Sequence, residues 1–182
     1  MTDGLPRQRL ATRADCEQIA ELMRVSVLGL FPRYYDEKQT ASSAVHIAHL
    51  DETLIDDGTY FVHESGGELV ACGGWSRRNK LYTGSGDAAD DERLLDPANE
   101  PARIRAMFVR SDWTRRGIGR AILDACERAA HAEGFTMLAL MATLPGVPLY
   151  EAFGFVETGR AVLTMPDGVA IDGVEMERPI RL

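Results

Sequence analysis

Apolar positions along this chain switch between helical and extended spacing, and the changes of period outline its elements. Gln8 to Ala11 reads as a short first strand, followed by Thr12 as a helix N-cap with Asp15 three residues on, where Glu is usual. Ile19, Leu22, Met23, Val27 and Leu30 then recur at three and four, so they share one face of a helix that Pro32 ends. A second, less regular helical pattern runs from about Glu37 to Ile55 and closes at Asp56-Asp57-Gly58. Thr59 to Glu64 and Glu68 to Trp75 alternate apolar and polar residues on either side of Gly66-Gly67, which predicts two strands joined by a tight hairpin.

Ser76 to Pro101 has no clear period. Gly84-Ser85-Gly86 and the acidic Asp87 to Glu92 predict an exposed loop longer than most compact domains contain. Strand character returns over Ile104 to Val109. The helix after Gly119 puts Ile122, Ala125, Cys126 and Ala129 on one stripe and stops at Gly134. Thr136 to Ala142 is uninterruptedly apolar, as a central strand is. Glu157 to Met165 and Val169 to Arg178 flank Pro166-Asp167-Gly168 and predict a final hairpin. This order describes an α/β layer with a mixed sheet, and 182 residues without repeat or linker suit one domain over residues 1–182.

Charge and cysteines narrow the function. The formal charge of -8 argues against nonspecific binding to nucleic acid or to an anionic membrane, because both need a positive surface. Cys16, Cys72 and Cys126 form no Cys-x-x-Cys pair and have no His at ligand spacing, so neither a disulfide framework nor a metal site is expected. Met1 to Ala11 lacks the apolar core of a signal peptide, and the longest apolar run, Met137 to Ala142, is too short to span a bilayer; a reducing cytoplasm is the default.

The chemistry concentrates between Arg103 and Phe155. There an apolar strand runs into Thr114-Arg115-Arg116-Gly117-Ile118-Gly119-Arg120 and directly into a helix. Two glycines allow a tight turn with inward N–H groups, the helix start adds its positive dipole end, and Arg115, Arg116 and Arg120 add full charges: an arrangement for a pyrophosphate. Positive side chains at a helix N-terminus cost roughly 0.3–1 kcal/mol each, so three of them favour a bound anion over a solvated helix start. The dinucleotide fingerprint fails because Ile122 stands at its third glycine, and no Gly-Lys-Ser/Thr follows for a Walker loop. Further on, Leu149-Tyr150-Glu151-Ala152-Phe153-Gly154-Phe155 places a phenol near the end of the same unit.

Together the turn from Val109 to Gly119 and the Tyr150 to Phe155 ending resemble the GNAT superfamily of N-acetyltransferases. The resemblance implies a mixed, mostly antiparallel central sheet flanked by helices, acetyl-CoA as acetyl donor, a small-molecule or peptide amine as acceptor, and a frequent habit of forming homodimers. It implies that Met107 and Val109 pair through their backbone with the pantetheine arm, and that an N–H near Phe108 or Val109 meets the acetyl carbonyl. Arg115, Arg116, Gly117, Ile118, Gly119 and Arg120 would hold the pyrophosphate, Thr143 would touch the cofactor, and Tyr150 would protonate the departing thiolate. A thiol pKa of about 8.5 makes that last contribution a modest one.

Three positions depart from the family pattern: Thr114 replaces a Gln or Arg, Thr143 an Asn, and the strand Arg103-Ile104-Arg105-Ala106-Met107 carries no carboxylate to serve as base. His46, His49, Glu64 and Glu68 are the substitutes. Tyr34, Tyr35, Trp75 and Tyr82 would suit a cationic, polyamine-like acceptor, whereas Arg77, Arg103 and Arg105 would suit an acceptor with a carboxylate; both remain open. A covalent cysteine intermediate is disfavoured, since Cys126 lies on a buried stripe and Cys16 and Cys72 lack a His partner. The competing reading is a noncatalytic acyl-CoA-binding sensor that kept the turn and lost the chemistry.

Overall fold

The computed structural model describes residues 5–82 and 88–182. Seven strands form one sheet: β1 (Arg7–Leu10), β2 (Tyr60–Ser65), β3 (Glu68–Ser76), β4 (Ala102–Val109), β5 (Met137–Thr143), β6 (Val156–Thr164) and β7 (Ala170–Pro179), in the order β1-β2-β3-β4-β5-β7-β6. Every neighbouring pair is antiparallel except β4 with β5. The sheet is thus mixed and mostly antiparallel, as expected. Both predicted hairpins form, β2 to β3 across Gly66-Gly67 and β6 to β7 across Pro166-Asp167-Gly168.

Helix α1 (Cys16–Leu30) buries Ile19, Leu22 and Met23 against Tyr60, Val62, Leu69 and Cys72. Its start is anchored by Asp15, which accepts the Thr12 N–H at 2.7 Å and a two-pronged ion pair from Arg9 at 2.8 Å. Helix α5 (Ile118–Ala132) packs Ile122, Leu123 and Cys126 against Trp75, Leu138 and Phe135 in a separate cluster, so helices cover both faces of the sheet. Ala129, assigned to the buried stripe from sequence, is only half-buried; Ala130 is buried instead, and Glu127 is buried as the acceptor for the Arg178 guanidinium and the Arg181 N–H.

The helix expected from Glu37 to Ile55 is two, α2 (Glu37–His46) and α3 (Thr53–Asp56). The break has a tertiary cause: Asp51 caps the Thr53 N–H at 3.1 Å and is drawn to Arg105 at 3.3 Å and Lys80 at 3.2 Å, which a continuous helix would not allow. Within the expected loop from Ser76 to Pro101 the described residues are also more ordered than its composition suggests. It holds a bridge between Arg78 and Leu94 and a short helix α4 (Ala88–Asp91), tied down by Arg78 to Asp57 and by Arg93 to Glu100, each pair at 2.8 Å. Gly84-Ser85-Gly86 and Asp87 lie outside the described residues.

Candidate active site

The parallel pair that interrupts the antiparallel sheet also opens it. β4 and β5 pair only at Ala102 with Leu138 and Arg103 with Ala139; beyond that β5 keeps to β7 as far as Thr143, while β4 keeps to β3. The strands therefore diverge into a wedge, and a cavity of about 640 Å³ fills it.

β4 reaches this wedge through a bulge. Between Cys72 paired with Phe108 and Gly74 paired with Arg105, β3 has one residue and β4 has two, and Ala106 takes φ 51°. The Tyr60 hydroxyl donates to the Ala106 carbonyl at 2.6 Å and holds the bulge. Arg110 donates its N–H to the Val70 carbonyl, so Arg110 and, two residues back, Phe108 turn their backbone groups to β3, and by alternation Val109 and Met107 turn theirs to the wedge. The Val109 carbonyl is taken by the Ser26 hydroxyl at 2.7 Å, which leaves its N–H facing the opening.

The turn that follows presents backbone N–H groups to the cavity. Gly117, the α5 N-cap, lies at φ 80°, a conformation that L side chains resist, and Arg115 at φ 60° adopts it at a cost of roughly 1–2 kcal/mol. Ala106 and Arg115 are the two non-glycine residues with positive φ among the described residues, and both line the cavity. Strained backbone kept at one site is a signature of function. The alternating sign of φ from Arg115 to Gly117 makes successive N–H groups converge, and among the described residues no side chain caps the start of α5, so its first N–H groups remain available.

Tyr150 sits across the wedge on α6 (Val147–Phe153), and its ring meets Phe155 edge-on at 5.8 Å. Gly146 packs against this ring: a Cβ there would come within 2.8 Å of Tyr150 Cε2, so the glycine lets the phenol lie where it does. The Tyr150 side chain is buried, yet its hydroxyl has no hydrogen-bond partner among the described residues. Burial raises its pKa, so near neutrality it holds its proton and can donate it.

Of the residues singled out from sequence, Met107, Phe108, Val109, Arg115, Gly117, Ile118, Gly119, Arg120, Thr143 and Tyr150 all line the cavity. Arg116 does not; its guanidinium lies over Trp113 at 4.5 Å from the ring centroid and donates to the Asp112 carbonyl at 3.2 Å. Among the candidate bases, His46 and His49 line the cavity, while Glu64 pairs with Arg9 and Glu68 with Arg110 elsewhere. Of the aromatic candidates, Tyr34 and Tyr82 line it. Trp75 is a core residue against Phe135, and Tyr35 is buried with its hydroxyl donating to the Asp172 carbonyl at 2.7 Å and accepting from the Leu144 N–H at 2.9 Å. Arg105 lines the cavity, whereas Arg77 is held by Glu133 at 2.6 Å and Arg103 by Asn79 at 3.0 Å. Sequence reasoning passed over Ser26 and Arg33, which carry no local motif and reach the cavity only because α1 and its following turn pack over β4.

The acetyltransferase (GNAT) family model matches residues 20–155, which span α1, the bulged strand, the turn and Tyr150. This chain belongs to the GNAT family of acetyltransferases. No curated protein matches the sequence. The fold is similar to that of a GCN5-related N-acetyltransferase from Rhodopseudomonas palustris, 20% identical over 98% of each chain with a TM-score of 0.73. It is similar to PaiA N-acetyltransferase from Thermoplasma acidophilum, solved with coenzyme A, 14% identical over 95% of this chain and 98% of that one, TM-score 0.64. It is also similar to YncA from Salmonella typhimurium, solved with acetyl-CoA, 18% identical over 98% and 95% of the two chains, TM-score 0.62. At these identities the likeness establishes a shared GNAT fold. Among the described residues no helix is long and apolar enough to cross a membrane.

Proposed function

We propose that this GNAT protein uses acetyl-CoA to acetylate the primary amine of a small molecule or peptide by direct transfer. The observation that carries the reading is the wedge between β4 and β5, whose single cavity joins a left-handed, uncapped helix-start turn, a strand edge facing the opening, and a buried phenol with an uncommitted hydroxyl. The donor would supply an activated acetyl thioester. Arg115, Arg120 and the N–H groups of the Arg115 to Gly119 turn would hold its pyrophosphate, and Met107 and Val109 would receive its pantetheine arm as an added strand.

Alternation along β4 favours the Val109 N–H over that of Phe108 as the donor to the acetyl carbonyl, since Phe108 faces β3 and lies against the Cys72 thiol. Tyr150 would pass its proton to the leaving sulfur. The proton of the attacking amine would go to His46 or His49, the candidate bases that line the cavity, with His46 Nε2 standing 3.7 Å from Asp167. Thr143 would offer a hydroxyl to the donor. A covalent cysteine route is the weaker one: burial pushes the Cys72 thiol up to about 12 and Cys126 higher still, so neither forms a thiolate readily. The free cysteines also suit a reducing, cytoplasmic setting.

The test is thermal unfolding with acetyl-CoA against an adenine nucleotide lacking pantetheine, followed by acceptor-dependent CoA release. At a hundred times its dissociation constant acetyl-CoA should stabilise the fold by about 2.7 kcal/mol. No saturable shift would remove acetyl-CoA from the reading, and binding without turnover across a broad amine panel would favour the noncatalytic sensor.

A further inference from the structure

The chain carries 28 Asp and Glu against 20 Lys and Arg, yet its cavity has the opposite bias. Among the described residues the lining includes Arg33, Arg105, Arg115, Arg120, His46 and His49, and no Asp or Glu. Arg115 and Arg120 belong to the turn. Arg105 lies four residues before Val109 on β4, on the far side of the bulge from the turn. The positive wall therefore extends beyond what a pyrophosphate accounts for.

Arg105 is 5% exposed, a burial that a guanidinium rarely accepts without full pairing. Its one hydrogen bond runs from Nη2 to Asp51 at 3.3 Å, and Asp51 also serves Lys80 at 3.2 Å, so one carboxylate is shared by two cations. Nε and Nη1 make no hydrogen bond among the described residues, and neither atom is sealed from solvent without a partner. Burial lowers the Arg105 pKa, against the opposing effects of Asp51, Tyr60 and Asp91. Arg33, on the turn after α1, is exposed on the same cavity and has no carboxylate partner among the described residues. His46 has a nearby acid, Asp167 at 3.7 Å, which does not line the cavity.

We infer that the acceptor is an amine that also bears a carboxylate, an amino acid or a peptide terminus, and that Arg105 and Arg33 bind this carboxylate at the end of the cavity away from the Arg115 to Arg120 turn. The inference rests on the acetyl-transfer reading above. A free guanidinium N–H gives a carboxylate a charge-assisted hydrogen bond, and the incoming anion adds counter-charge to a buried cation. A polyamine would instead bring its second cation against two arginines, with no acid among the described residues that line the cavity, and Tyr34 and Tyr82 would have to offset that repulsion.

The test is steady-state acetylation by the full chain over matched pairs, each amino acid against the amine left when its carboxylate is removed, with dipeptides, spermidine and phosphoethanolamine alongside. The best carboxylated acceptor should exceed its decarboxylated partner in kcat/KM by at least about a hundredfold, because rejecting the partner leaves buried donors unpaired. Arg33→Ala should reduce that preference at least about tenfold, mainly through a raised KM for the carboxylated acceptor. Arg105→Lys should reduce it further; Arg33 stands on an exposed turn, so its variant keeps the test alive if Arg105→Lys fails to fold. Equal or faster turnover of decarboxylated amines, spermidine or phosphoethanolamine would overturn the inference. So would acetyl-CoA binding without acetylation of any carboxylated amine. A wild-type protein that does not bind acetyl-CoA would strike the donor reading instead, and the two failures are separated by the thermal-unfolding titration.

Discussion

Two regions of this molecule are rich in polar side chains and use them in opposite ways. From Arg77 to Arg105 nearly every guanidinium is occupied: Arg77 by Glu133, Arg78 by Asp57, Arg93 by Glu100 and Arg103 by Asn79. In the turn and helix start from Arg115 to Arg120 none meets a carboxylate among the described residues; Arg116 and Arg120 lie over the rings of Trp113 and Phe153. The tyrosines divide in the same way. The hydroxyls of Tyr35 and Tyr60 are committed to backbone groups, whereas that of Tyr150 is not. Residue type alone does not separate structural from chemical groups in this chain; the presence of an internal partner does. A polar group that the fold leaves unpartnered beside a cavity is available to a ligand.

The largest effect is expected where a committed pair is buried. Glu127→Ala leaves the Arg178 guanidinium and the Arg181 N–H without their acceptor and should lower the unfolding free energy by about 3 kcal/mol in a denaturant titration. A loss below about 1 kcal/mol would break the assignment of this pair to the structural class.

Next come the tyrosines, which should fail in different assays. Tyr150→Phe should slow acetyl transfer about ten- to a hundredfold, equivalent to roughly 1.4–2.7 kcal/mol, while acetyl-CoA affinity and stability stay near wild type. Tyr35→Phe should instead cost about 2 kcal/mol of stability, because the Leu144 N–H and the Asp172 carbonyl lose their partner. If the two variants destabilise equally and turn over equally, the contrast between them is wrong.

Of similar size is the acid sensitivity of the Arg9 to Asp15 anchor. Arg9 beside it holds the Asp15 carboxyl down to about 2, against about 4 in the unfolded chain. Its stabilisation is therefore complete above pH 4 and is lost as the pH falls towards 2, amounting to roughly 2 kcal/mol. Asp15→Asn should flatten that part of the stability profile, and an unchanged slope would mean that other carboxylates carry it.

Smaller effects separate the two sets of arginines. Arg115→Ala with Arg120→Ala should weaken acetyl-CoA about tenfold and reduce the salt dependence of binding, since both sites are exposed and screened. Arg93→Ala, which removes an exposed ion pair to Glu100, should leave both that affinity and the stability near wild type. Equal losses of donor affinity at the two sites would show that long-range charge, and not the turn, governs binding.

Much of this was readable along the chain because it rests on local rules. Helical spacing set the face of α1, Gly66-Gly67 set one hairpin, Pro166-Asp167-Gly168 set the other, and the Gly117-x-Gly119 turn before a helix marked the candidate anion site. The break between α2 and α3 was not readable, because Asp51 turns away from helical geometry to meet Arg105 and Lys80, partners distant in sequence. The latching of residues 77–100 was hidden for the same reason. Its acidic composition reads as a solvated loop until Asp57 and Glu133 are brought beside its arginines.

The sequence by itself determined the order of the strands, the hairpins, the tight glycine turn before a helix and the phenol of Tyr150, since each follows from backbone preferences and periodicity within a few residues. Only the tertiary structure decided that β4 and β5 part after two residue pairs, that Trp75 belongs to the core while Tyr34 faces the cavity, and that Arg105 and Arg33 line one cavity whose lining has no carboxylate among the described residues. Those outcomes depend on which distant groups meet and which are left without a partner, and pairing over such distances is a property of the packed molecule.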